Sequence, residues 1–120
     1  MNLQYAQKQI ATGLRIKNKN DYSPVEFEYS IDEANLTLKA TGRWLNEKIG
    51  GKSFETINVC SIDSLTGEIS SLELYDTQSS FLYDFNEFIA SLDQKAQDDF
   101  NQYSPLEKLQ FLRKELENLN

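Results

Sequence analysis

The stretch VEFEYSIDEANLTLKATG, residues 25–42, decides the fold. In its first seven residues the apolar side chains alternate with polar ones, a period of two that is typical of a half-buried β-strand. These apolar residues are Val25, Phe27, Tyr29 and Ile31. The polar sequence DEAN then predicts a turn, and LTLKATG repeats the alternation. Strand, turn and strand together predict an antiparallel β-hairpin.

A second hairpin is predicted from FETINVCSI, residues 54–62, and EISSLELYD, residues 68–76, with DSLTG between them. The alternation slips at Ser70 and Ser71, which indicates a β-bulge. RWLNEKIGGKS, residues 43–53, lies between the two hairpins and fits either one helical turn that is closed by its paired glycines or a mobile loop.

Helical periodicity appears first at the N-terminus. Leu3, Ala6, Ile10 and Leu14 have near-helical spacing, which predicts a short helix that ends around Gly13. The following GLRIKN alternates again and fits a short strand or an extended exit from the helix.

A long amphipathic helix is predicted to begin at Thr77, because the period changes there from two to 3.6. Its apolar arc is predicted to face inward and comprises Phe81, Phe85, Phe88, Ile89, Leu92 and Ala96. An unbroken helix would project Asp99 into the same arc, so we expect a bend or break near residues 93–98.

The last helix has the sharpest local signal in the sequence. In SPLE, Ser104 is a helix cap, Pro105 suits the first helical position, and Glu107 completes a capping box. A narrow leucine stripe follows: Leu109, Leu112, Leu116 and Leu119. The whole chain therefore reads as one α+β domain, residues 1–120. We expect an antiparallel sheet of four to five strands from two hairpins, a short N-terminal helix, and two C-terminal helices on one sheet face.

Composition narrows the class of protein. A chain of 120 residues suffices for one hydrophobic core without metals or disulfides. Cys60 is the only cysteine, so we expect a buried thiol in a reducing compartment. The N-terminal residues lack the apolar core of a secretory signal, and no apolar run approaches the roughly 18 residues that span a bilayer. We expect a cytoplasmic protein with no membrane association.

Catalytic and metal-binding motifs are not found in the sequence. There is no histidine, which removes the commonest general base and the commonest transition-metal ligand. Asp98 with Asp99, and Asp84 with Glu87, are carboxylate pairs of the kind any acidic protein contains, and no calcium-loop or phosphate-loop spacing occurs. We expect no enzymatic activity, no cofactor and no metal.

The charges are unevenly distributed along a chain of formal net charge −7. Residues 1–20 contain four bases and no acid: Lys8, Arg15, Lys17 and Lys19. Between Lys52 and Lys95 there are eight acids and no base: Glu55, Asp63, Glu68, Glu73, Asp76, Asp84, Glu87 and Asp93. This layout favours a basic protein partner and disfavours direct nucleic-acid binding, since it repels phosphates over most of the chain.

The function predicted from these features is that of an inhibitor or immunity-type protein that blocks a basic partner, such as a toxin, a nuclease or another nucleic-acid-binding enzyme. In one variant, the acidic surface mimics DNA. The predicted partner-binding residues combine acids for steering with aromatic anchors. They are Glu73, Tyr75, Asp76, Tyr83, Asp84, Glu87, Asp98 and Tyr103. The alternative is a self-associating adaptor or structural subunit, a homodimer through the leucine stripe.

Overall fold

The computed structural model of this chain describes residues 2–46, 51–77 and 81–119. The elements follow in the order α1 (Leu3–Lys17), β1 (Glu26–Asp32), β2 (Thr37–Asn46), β3 (Gly51–Ile62), β4 (Ile69–Ser71), α2 (Phe85–Ala90), α3 (Gln94–Gln102) and α4 (Pro105–Glu117). The chain has the α+β class that the sequence predicts, with an antiparallel four-stranded sheet in the order β1-β2-β3-β4.

Both predicted hairpins are present, and β2 also pairs with β3. The pairing of Arg43 with Phe54 and of Trp44 with Ser53 places these residues in strands. Residues 43–46 and 51–53 therefore form neither a helical turn nor a loop, and residues 47–50 lie outside the described part of the chain.

A β-bulge occurs in the sheet, but not where the sequence predicts it. Leu38 pairs with Cys60 and Lys39 with Asn58, so Val59 is the extra residue in β3. The bulge allows both Val59 and Cys60 to be fully buried. The pairing of β3 with β4 is regular through Ser70 and Ser71, so the predicted bulge at those serines is wrong.

Helix α1 is longer than predicted, since it continues through Gly13 to Lys17. The short strand or extended exit predicted after Gly13 is therefore wrong. Gly13 is needed for close packing, because a Cβ atom there would lie only 2.4 Å from the backbone oxygen of Glu73. The alternation of Leu14 with Arg15 reflects the buried and solvent-facing sides of a helix.

The long helix predicted from Thr77 is also wrong at its start. Residues 81–84 are not helical, and α2 begins only at Phe85 after an extended Asp84. The predicted break does occur, at residues 91–93, which overlaps the start of the expected range 93–98. In the described residues, three helices thus follow the sheet instead of two. Asp99 is exposed and pairs with Lys95 instead of entering the apolar arc.

The core lies between one face of the sheet and the helices α1 and α4. Leu109, Leu112 and Leu116 are fully buried in it, and Leu119 packs against it. The stripe therefore closes the protein's own core and is not available as the predicted dimer surface. The capping box of α4 is confirmed, with Ser104 and Glu107 each bonding the other's backbone amide.

Candidate partner-binding surface

The predicted partner-binding residues fall into separate regions of the structure. Glu73, Tyr75 and Asp76 follow β4 and run beside α1. Asp84 and Glu87 lie at the start of α2. The remaining three are Tyr83, before α2, and Asp98 and Tyr103, in and directly after α3.

A buried glutamine connects the first two regions. Gln9 of α1 is only 2% exposed. Its Nε2 donates to the backbone oxygen of Phe81 at 3.1 Å and lies 3.5 Å from Oδ2 of Asp76. Its Oε1 accepts the backbone N–H of Tyr83 at 2.8 Å. Sequence reasoning missed Gln9, because its bonded residues lie 67 to 74 positions away and leave no local signal.

Tyr83 and Phe81 exchange the environments that the sequence predicts for them. Tyr83 is fully buried and packs edge-to-face on Phe85 at a centroid distance of 4.9 Å. Burial, with a smaller contribution from the negative charges of Asp84 and Glu87, raises the pKa of Tyr83 to about 12. Phe81, predicted to face inward, is 42% exposed, with its ring 6.5 Å from that of Tyr5.

We call one set of residues in this region the acidic-aromatic strip: the exposed Tyr75, Phe81, Leu82 and Glu87, and the half-buried Asp76 and Asp84. Tyr75 and Leu82 are 48% and 42% exposed. The Tyr5 hydroxyl donates to Asp76, and this hydrogen bond is the main cause of the raised pKa of Tyr5. Lys8 shares a small cavity of about 110 Å³ with Tyr75 and Asp76, so a single lysine borders the strip at this end.

Asp84 has a structural role within the strip. Its carboxylate caps α2 by accepting the N–H of Asn86 at 2.9 Å. Asn86 in turn bonds both backbone groups of Ile69 at the start of β4. Reversing the charge at Asp84 would therefore remove a cap, whereas Glu87 is exposed in the first turn and can be changed without that loss.

Asp98 and Tyr103 belong to α3 and its end. Asp98 is exposed and accepts a hydrogen bond from Gln94 at 2.9 Å. Tyr103 is half-buried, with its ring 6.2 Å from Phe100 and 6.3 Å from Phe111. Tyr103 therefore packs α3 against α4 more than it faces solvent.

Most carboxylates of α2 and α3 form no ion pair with another described residue. Among the described residues, ion pairs join Lys17 to Glu73, Arg43 to Glu26, Lys95 to Asp99 and Arg113 to Glu117. None of these pairs includes Asp84, Glu87 or Asp98. The charge of these three groups is therefore not neutralised by a contact within the described chain.

Two further features limit the chemistry of the molecule. Cys60 is fully buried, as predicted, and burial raises the pKa of its thiol to about 12, so thiolate is scarce at neutral pH. In residues 2–46, 51–77 and 81–119, no group of three or more metal-ligating side chains is placed to hold an ion. Over the same residues, no helix is long and apolar enough to cross a membrane.

Comparisons of the chain with protein-family models, with curated proteins and with solved structures found no match. The chemistry of its surface is therefore the basis for assigning a function.

Proposed function

We propose that this chain is a small acidic binding protein, not an enzyme, that inhibits a basic protein partner in the manner of an immunity protein. The observation that supports this is the acidic-aromatic strip. Phe81, Leu82 and Tyr75 expose large apolar surfaces beside carboxylates such as Glu87, which has no ion-pair partner among the described residues. Exposed aromatic anchors next to uncompensated charge are typical of tight protein interfaces.

Electrostatics supply the preference for a basic partner. The net charge of −7 and the acids of the strip attract a positive surface over a distance of about one Debye length, and attraction of this kind raises association rates. An enzyme that binds nucleic acid presents such a positive surface for its own substrate. If the acidic-aromatic strip occupies that surface, it competes with the polyanion and blocks activity, which is DNA mimicry in function.

The partner is to be identified first, by affinity capture from native lysate and mass spectrometry. Association kinetics then test the surface. Glu87→Lys should slow association about tenfold or more, because steering is lost, and Phe81→Ala should speed dissociation about fivefold or more. Glu28→Lys is the matched control, because Glu28 is an exposed glutamate of β1 on the opposite, helix-free face of the sheet.

The two lysine substitutions change the net charge equally, so a difference between them locates the contact. Equal effects of Glu28→Lys and Glu87→Lys, or association that ignores added salt, would show that the strip is not the binding surface. If the partner keeps its full activity in the complex, the chain is a binding protein but not an inhibitor. Competition between the chain and DNA for the same partner distinguishes the DNA-mimic form.

A further inference from the structure

One edge of β3 is unpaired over part of its length. On the side away from β2, β4 pairs only with Cys60 to Ile62, and the chain after it extends this contact to Asn58, whose carbonyl accepts from Glu73 at 2.8 Å. Within the described chain, no strand pairs with this side of β3 from Ser53 to Ile57. We call residues 53–57 the free edge.

Two side chains occupy positions that a neighbouring strand would fill. Lys17 Nζ donates to the backbone oxygen of Thr56 at 2.9 Å, and Glu73 Oε2 accepts the N–H of Asn58 at 2.6 Å. Since the N–H and C=O of one strand residue point to the same side, Thr56 and Phe54 both direct their backbone groups to the free edge. Lys17 and Glu73 lie 3.6 Å apart as an exposed ion pair that covers part of it.

An apolar groove lies beside this edge, on the helix side of the sheet. It has a volume of about 290 Å³. Its lining consists of Gly13, Ile16, Lys17, Ile57, Glu73, Leu74 and Tyr75. Ile16 is 44% exposed here, although it belongs to α1 and lies next to the core.

We propose that the free edge binds an extended segment of the basic partner, which adds to the sheet as a strand antiparallel to β3 in line with β4. This proposal rests on the proposed function, because it names the part of the partner that is recognised. Lys17 releases the Thr56 oxygen, and the backbone of the segment bonds Phe54 and Thr56 instead. Strand addition of this kind draws affinity from main-chain hydrogen bonds and specificity from alternate side chains.

The inner face of the free edge defines which side chains the segment carries. A residue opposite Ile57 points toward the groove and is therefore apolar. A residue opposite Glu55 lies on the same face two positions away, and Glu55 is half-buried with no ion pair among the described residues. A lysine or arginine there gains an opposite charge. The recognised pattern is thus an apolar residue and a basic residue two positions apart.

A second copy of this chain fits the edge poorly. Antiparallel pairing of two free edges that uses the backbone groups of Phe54 and Thr56 centres on Glu55. Each Glu55 would then face the same residue of the other copy, and like charges directly opposite each other destabilise a strand pair. The charge at Glu55 therefore selects a basic strand and opposes self-pairing, as charged residues at sheet edges commonly do.

Short capped peptides test this directly with the full chain in an amide NMR titration. The probe is Thr-Thr-Ile-Thr-Lys-Thr-Thr, and its controls are the same peptide with glutamate in place of lysine and the same peptide N-methylated at the amides that would face Phe54 and Thr56. We expect shifts at residues 53–57 and along the groove, binding at least about threefold tighter for lysine than for glutamate, and loss of binding on N-methylation.

Two variants sharpen the test. Lys17→Met keeps the aliphatic stem but removes the ammonium from Thr56, so the lysine peptide should bind it at least about twofold tighter, whereas a purely structural role of Lys17 predicts no gain. Glu55→Lys should reverse the preference between the lysine and glutamate peptides. Equal binding of all three peptides, or shifts outside residues 53–57 and the groove, would overturn strand addition. Glu87→Lys would still report separately on the acidic-aromatic strip.

Discussion

Replacing Gly13 with alanine tests the close contact between α1 and the segment after β4. In an exposed helix interior this change stabilises by about 1 kcal/mol, because alanine is the better helix former. Here the new Cβ would lie 2.4 Å from the Glu73 oxygen, about 1 Å closer than an ordinary contact of 3.4 Å. It would also lie 3.3 Å from Cδ1 of Ile57.

The Glu73 backbone is not free to move by that amount. Its N–H bonds the Asn58 oxygen at 2.8 Å, and two residues later Tyr75 donates to the Gln9 oxygen at 3.3 Å. Overpacking of this kind costs about 1 to 3 kcal/mol, and a weakened backbone hydrogen bond adds about 1 kcal/mol. After subtracting the helix-propensity gain of about 1 kcal/mol, we expect Gly13→Ala to lower the free energy of unfolding by about 1 to 3 kcal/mol.

Urea denaturation followed by circular dichroism measures this free energy, and Thr12→Ala is the matched control. Thr12 is the neighbouring residue of α1, and its alanine variant gains helix propensity and loses only the exposed hydrogen bond from Thr12 Oγ1 to the Lys8 oxygen, so its stability should be unchanged or slightly raised. Faster hydrogen exchange of the Glu73 amide in Gly13→Ala would show that the substitution disrupts the contact with this segment. A rise in stability of about 1 kcal/mol in Gly13→Ala would show that the contact is not tight and would refute the reasoning.

Four other predictions concern single residues. Lys19 lies directly after Asn18, the C-cap of α1, and its φ of 51° is the conformation for which helix ends favour glycine. Lys19→Gly should therefore raise the free energy of unfolding by about 0.5 to 1 kcal/mol, and a loss in urea denaturation would contradict it. Ser104→Ala should cost about 0.5 to 2 kcal/mol. Hydrogen bonds from Ser104 lower the pKa of Glu107 below its ordinary 4.5. The ionised Glu107 carboxylate therefore stabilises the fold fully above pH 4.5, and this contribution is lost as the pH falls through the lowered pKa. Glu107→Gln should flatten that part of the stability–pH curve. Cys60 should react with a thiol reagent only as fast as the protein unfolds, and rapid native labelling would contradict its burial.

Local sequence signals account for the elements that were predicted correctly. The alternation predicts β1 because one face of that strand, with Tyr29 at its centre, is buried or half-buried and the other is solvated. Val25, predicted to share the inner face, lies before β1 and is 58% exposed. SPLE predicts the start of α4 because Ser104 and Glu107 satisfy each other's amides within four residues. The leucine stripe predicts a buried helical face in the same way, although the stripe alone does not show whether the covering surface belongs to this chain or to another.

Contacts between distant residues decided the rest. Residues 81–84 have the spacing of a helix, but Gln9 binds the Phe81 oxygen and the Tyr83 N–H, backbone groups that a continuous helix would use internally. The result is that Tyr83 is buried and Phe81 exposed, so Phe81 takes the place of Tyr83 among the exposed aromatic residues, whereas Tyr75 is exposed as predicted. Gly13 likewise predicts a helix end, yet it lies inside α1. A glycine is needed at this position because the Glu73 backbone approaches it too closely for a Cβ atom.

The sequence by itself determined the α+β class, the alternating strands, the capped last helix and the net charge, since each depends on residue types and on neighbours a few positions apart. Only the tertiary structure decided which charges and aromatic rings are exposed, where the bulge lies, and that β3 has a free edge beside a groove. The physical reason is that exposure and edge pairing depend on which segments meet in space, and those segments lie far apart in the chain, as Gln9 and Tyr83 do at a separation of 74 residues.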